Sequence, residues 1–139
     1  MEQSLTPAKW EFLLEAPIGI LHEESIEWLG EIVFFRKEIA FFFMLLEKII
    51  DINSQNKTLL SIENQLIDLS SKKLDELNMD VQRHEEFLAV IIKTRRHDES
   101  VYRSKHNKLS KKFREFEKEM KTFKRIFFQV VEKTNNYCT

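Results

Sequence analysis

Four side chains in this sequence have the types and spacing to hold a metal ion: Glu27, Glu31, His84 and His106. Imidazole and carboxylate together suit Zn, Fe or Mn. His84 has Leu77 and Ile91 one heptad away and His106 lies in step with Tyr102, Leu109 and Phe113, so each falls in a helix seam rather than on a solvated face. If successive helices alternate in direction, a rise of ~1.5 Å per residue puts the four in one layer. His84 then lies ~16 Å, His106 ~12 Å, Glu27 ~10 Å and Glu31 ~16 Å from a common end. Asp80, one turn before His84, and Tyr102, one turn before His106, would orient the rings from behind. His22 and His97 fall at the same end.

The same residues admit a reading without metal. Buried histidines hydrogen-bonded to glutamates would form a polar layer that fixes helix register, as buried polar residues do in coiled coils. That reading ranks above a metal centre, because the Glu-x-x-His pairs of ferritin-like diiron proteins are missing. Hemerythrin-like chains also need more histidines, spaced four and five apart.

Other site chemistry finds no support. There is no glycine-rich phosphate loop and no Gly-x-Ser-x-Gly. Cys138 is the only cysteine, so no intramolecular disulfide forms, and its place at the tail gives it no base to activate it. No catalytic residue is nominated, and no cofactor beyond that possible metal.

Three long elements must position these groups. From Leu21 to Asp51, Leu21, Ser25, Trp28, Ile32, Phe35, Ile39, Phe42, Leu46 and Ile49 recur in alternating fours and threes, one stripe of an α-helix. Asn53-Ser54-Gln55-Asn56 is a turn. Residues 58–95 carry Leu60, Ile67, Leu74, Val81 and Leu88 seven apart, with Leu77, His84 and Ile91 as a second column, which predicts one continuous helix. A break near Asn78 is the alternative, giving a four-helix up-down bundle. After a turn at Arg95–Asp98, residues 98–135 carry Tyr102, His106, Leu109, Phe113, Phe116, Met120, Phe123, Phe127 and Val130 at the same spacing. Thr6-Pro7 caps a short helix over about 7–15, whose Trp10, Leu13 and Leu14 would cover apolar surface. The expected architecture is all-α: a single domain over 1–139, an antiparallel bundle of three long helices plus the short N-terminal one.

Composition agrees. Two Gly and two Pro are too few for a sheet protein with many tight turns. Twelve Phe imply a core of large flat side chains. The longest apolar run, Ile39 to Leu46, falls far short of the ~20 residues that span a bilayer, and no secretory signal opens the chain, so a cytoplasmic protein is expected.

Charge is unevenly spread although the net value is −1. Leu21–Asp51 has seven acids against three bases, and Val101–Thr134 eleven bases against four acids. Because the phenylalanines sit in the seam rather than among the lysines, a basic helix beside an acidic one is preferred to nucleic-acid binding. Glu24, Glu31 and Glu38 border the first stripe, and lysines of the last helix or a cation should offset them.

The run His22-Glu23-Glu24-Ser25-Ile26-Glu27-Trp28-Leu29-Gly30-Glu31, followed by Phe34-Phe35 and Glu38, resembles small uncharacterised helical-bundle proteins of bacteria. The resemblance implies a bundle of long helices and carries no activity with it. Phe34, Phe41, Phe43 and Leu45 widen the first stripe beyond one seam, which points to a protein partner or a homo-oligomer. The expectation is therefore a non-catalytic bundle acting through protein–protein or self-association, with metal binding in the bundle interior as the alternative.

Overall fold

Stretches without proline let each apolar stripe continue as a helix until a turn sequence stops it. The computed structural model describes residues 17–52, 56–95 and 99–138, the side chains of 52 and 134–138 excepted. Helix α1 is Ile18–Ile52. Helix α2 runs without interruption through an α-helical part Lys57–Ile67, a π-helical segment Asp68–Leu74 and a second α-helical part Asp75–Thr94. Helix α3 is Glu99–Cys138. No strand occurs among the described residues, and none of their helices is long and apolar enough to cross a membrane. The short helix expected over 7–15 lies outside them, as do His97 and most of the first turn.

The helix ends have local causes. The carbonyl of Pro17 accepts from the amides of Ile20 and Leu21 and opens α1. Asn56 caps α2 with its side-chain oxygen, which accepts from Thr58 N at 2.9 Å and Leu59 N at 3.2 Å. At the other end Arg95 turns left-handed, φ 57°, and its amide donates to the Ile91 carbonyl, a C-terminal cap more often built on glycine.

The continuous α2 excludes a break near Asn78, but its seam is not the heptad column expected from sequence. Leu60 and Ile67 are exposed, while Leu59, Ile62, Leu66 and Leu69 are buried. Buried positions then resume at Leu74, Leu77, Val81, His84, Leu88 and Ile91. The step from Leu69 to Leu74 is five residues, one more than an α-turn can bring back to the same side. The π-helical segment absorbs that extra residue, so both halves of α2 keep an apolar face inward. The stripes of α1 and α3 fall as expected, apart from Phe35, Ile49 and Val130, which are only half-buried.

The described residues divide into two units, each drawing on all three helices. The first takes the residues up to Ile32 and Leu77–Arg114; the second takes Val33–Glu76 and the chain from Glu115 onward. In the first, Leu21, Leu88, Ile91 and Tyr102 form a core cluster against which Ile18, Ile20 and Phe87 pack. The core of the second is aromatic. Phe42 meets Phe123 and Phe127 with ring centroids 5.7 and 4.8 Å apart, and Phe35 meets Phe116 edge-on at 5.2 Å.

Candidate functional site

In the first unit, the stripes of α2 and α3 carry His84 and His106 into the interior, where both are buried. Nε2 of His84 lies 2.9 Å from Nδ1 of His106, and Nε2 of His106 lies 2.6 Å from Oε1 of Glu24 on α1. A carboxylate only accepts, so His106 donates through Nε2. One proton then sits between the two rings, given by His84 when His106 is neutral and by His106 when it is an imidazolium. Trp28 stacks on His106 with centroids 4.8 Å apart, and on Phe113 at 5.6 Å. The ring of His106 is thus held by Trp28, Glu24 and His84 together.

Burial lowers the pKa of His84 to about 4, helped by the neighbouring charges of His106 and Lys105. His84 is therefore neutral near pH 7. A second pair lies alongside: Nε2 of His22 is 2.6 Å from Oε2 of Glu85.

Of the residues nominated from sequence, His84 and His106 come together, whereas Glu27 and Glu31 occupy exposed positions on α1. Glu24 supplies the carboxylate instead. Asp80 accepts from Nζ of Lys112 at 2.6 Å, and buried Tyr102 belongs to the core cluster, with the Arg103 guanidinium 5.3 Å from its ring centroid. Among the described residues, no group of three or more His, Cys, Asp or Glu is arranged to hold a metal ion. Three of the four imidazole nitrogens, Nε2 of His84 and both of His106, face each other or Glu24. What the geometry forms is a Glu–His–His hydrogen-bond chain with both rings buried and the carboxylate half-buried.

His84 also lines a cavity of about 390 Å³ with Asp80, Arg83, Phe87, Lys105, Lys108, Leu109 and Lys112. Nζ of Lys105 sits 4.6 Å from the Phe87 ring centroid. The sequence had marked the lysines only as part of a basic helix; the cavity they share with Arg83 needed the pairing of α2 with α3. A larger cavity of the second unit, about 580 Å³, differs in kind. There Lys73 donates to Glu119 at 2.7 Å and lies 3.7 Å from Asp68. The hydrogen bond to Glu119 raises the Lys73 pKa against its partial desolvation.

Of the acids bordering the first stripe, one meets a lysine of α3 and another a histidine. Glu38 pairs with Lys124 at 2.6 Å, though its Oε1 is buried without a partner, and Glu24 meets His106. The second unit also has an apolar surface. Phe34, Phe41 and Phe128 are 60%, 51% and 51% exposed, with Val33 and Met44 exposed as well. Phe41 and Phe128 both contact the buried ring of Phe42, with centroids 6.0 and 6.2 Å away.

Comparison of the chain with protein-family models, with curated proteins and with solved structures returns no match.

Proposed function

We propose that this protein is a non-catalytic helical module that acts by pairing with a second copy of itself through the aromatic face of the second unit. The observation carrying the proposal is the exposure of Phe34, Phe41 and Phe128 together. A soluble monomer keeps contiguous apolar patches small, and grouped half-exposed rings mark an association surface. From their exposed fractions and the usual sizes of such side chains, Val33, Phe34, Phe41, Met44 and Phe128 offer roughly 500 Å² per copy. Two copies would bury about 1,000 Å², the lower end for a specific interface. A net charge of −1 gives the copies little reason to repel each other. A two-fold pairing uses the same patch on both chains and closes without forming a fibre.

Within each unit this reading takes the three helical segments as running up, down and up. In the first unit it is supported by Leu21 clustering with Leu88, Ile91 and Tyr102, while Trp28 meets Phe113 and Asp80 meets Lys112.

Light scattering and sedimentation over about 5–200 µM test the proposal, since an interface this small gives a micromolar association. The mass should rise towards twice the monomer value, and the double substitution Phe41→Ser with Phe128→Ser should hold it at the monomer with helicity unchanged. A wild-type mass that stays monomeric across the range would overturn self-pairing.

A further inference from the structure

We infer that the cavity of the first unit is a binding site for a small organic phosphate, the phosphate lying among Arg83, Lys105 and Lys108 and a flat apolar group against Phe87 and Leu109. Charge balance comes first. Among the described lining residues, Arg83, Lys105, Lys108 and Lys112 place four cations around about 390 Å³, with Asp80 as the one acid. Asp80 is engaged at 2.6 Å by Lys112. Among the described residues, no carboxylate pairs with Arg83, Lys105 or Lys108. On α3, Lys105 and Lys108 stand three apart and Lys108 and Lys112 four apart. Each such like-charged neighbour is unfavourable on a helix surface, and an anion between them removes that repulsion. In the other cavity Lys73 already lies between two carboxylates, so an anion gains nothing there.

The number of cations without a carboxylate partner favours phosphate over carboxylate, Lys105 resting over the Phe87 ring rather than on an acid. Three positive groups around one pocket match a group that carries up to two charges and three acceptor oxygens, and the guanidinium of Arg83 can donate to two of them. The walls favour an organic ester over the free ion. Phe87 and Leu109 line the same space, and the volume lies in the range of small-molecule sites rather than that of an extended surface. Buried His84 forms part of the wall, and its Nδ1 is not used by the contact with His106. The Glu24–His106–His84 chain thus fixes one polar atom of the lining from behind.

The test uses the full chain at low ionic strength, with naphthyl phosphate, naphthoate and inorganic phosphate as probes. Calorimetry gives the affinities, and the imidazole NMR signals of His84 report on the site itself. Naphthyl phosphate should bind saturably and move the His84 signals. Inorganic phosphate and naphthoate should each bind at least about ten-fold more weakly. The double substitution Arg83→Gln with Lys108→Gln, at exposed positions that leave the core intact, should weaken naphthyl phosphate at least about ten-fold. Phe87→Ala should bring naphthyl and inorganic phosphate to similar affinity. No saturation by about 10 mM, naphthoate binding as tightly as the phosphate ester, or unchanged affinity in the arginine–lysine double variant would each overturn the site. The aromatic face belongs to the other unit, so self-pairing and phosphate binding stand or fall separately.

Discussion

A single imidazole shows how burial sets chemistry in this protein. His84 titrates near its ordinary pKa of 6.5 when the chain is unfolded and at about 4 when folded. Between those values the unfolded chain binds a proton that the native one does not, so stability falls as pH falls. The contribution of neutral His84 is complete above about pH 6.5, declines towards pH 4 and levels off below, by as much as ~3 kcal/mol. Urea unfolding from pH 7.5 to 4 should show that slope in the wild type and a shallower one in His84→Gln. The carboxylate at the far end of the chain gives a second test. Glu24→Gln removes a charge-assisted bond to buried His106 and should cost about 1–2 kcal/mol, whereas Glu27→Gln should stay within ~0.5 kcal/mol, both read from denaturant midpoints. The sequence revealed both histidines because they interrupt apolar stripes. Height along the bundle points to Glu27 and Glu31 rather than to Glu24, the carboxylate that meets His106. Azimuth removes only Glu27: Glu24 stands three residues after Leu21 and four before Trp28, Glu31 stands likewise between Trp28 and Phe35, and the contact with His106 selects Glu24.

At the scale of the elements, the segment Asp68–Leu74 is where regular periodicity misled. Leu60, Ile67 and Leu74 are seven apart, but the first two face outward because the chain takes an extra residue before the third. The signal was present as the five-residue step between Leu69 and Leu74; reading it required admitting a turn other than the α-turn. This makes a deletion experiment informative. Removing exposed Ser71 restores a spacing of four between those leucines, so the variant should fold with Tm within about 5 °C of the wild type. Removing exposed Gln82, in the second α-helical part, rotates one side of the seam by about 100° and should cost several kcal/mol. Circular dichroism melts of the two variants compare loss of phase with loss of one exposed side chain. Equal destabilisation by the two deletions would refute the role given to the π-helical segment. The outer ends of α1 and α3 lie beyond their apolar stripes: α1 opens at Ile18 rather than Leu21, on the Pro17 carbonyl, and α3 continues through Asn135-Asn136 to Cys138.

At the scale of the whole molecule, the all-helical character of the described residues follows from the scarcity of glycine and proline and from three apolar stripes. What the molecule presents to others was less legible, because surface exposure depends on which of several apolar residues the packing covers. Phe42 is buried and Phe35 half-buried, while Phe41 and Phe34, one position earlier, remain exposed. The two proposed contacts should answer salt in opposite ways. Self-pairing through phenylalanine rings should hold or tighten as NaCl rises from about 0.05 to 0.5 M, whereas capture of a phosphate ester by arginine and lysine should weaken. Scattering and calorimetry along one salt series separate them.

The extra residue within Asp68–Leu74 also bears on ancestry. A helix that gained one position there could keep both of its greasy faces in place, so such a gain is survivable in a way that most single-residue length changes in a helix are not. Cousins descending from the chain before that gain would lack one residue between 68 and 74 and match on either side of it. Kinship in such a lineage is best sought by aligning the two flanks separately, with a one-position gap at this place.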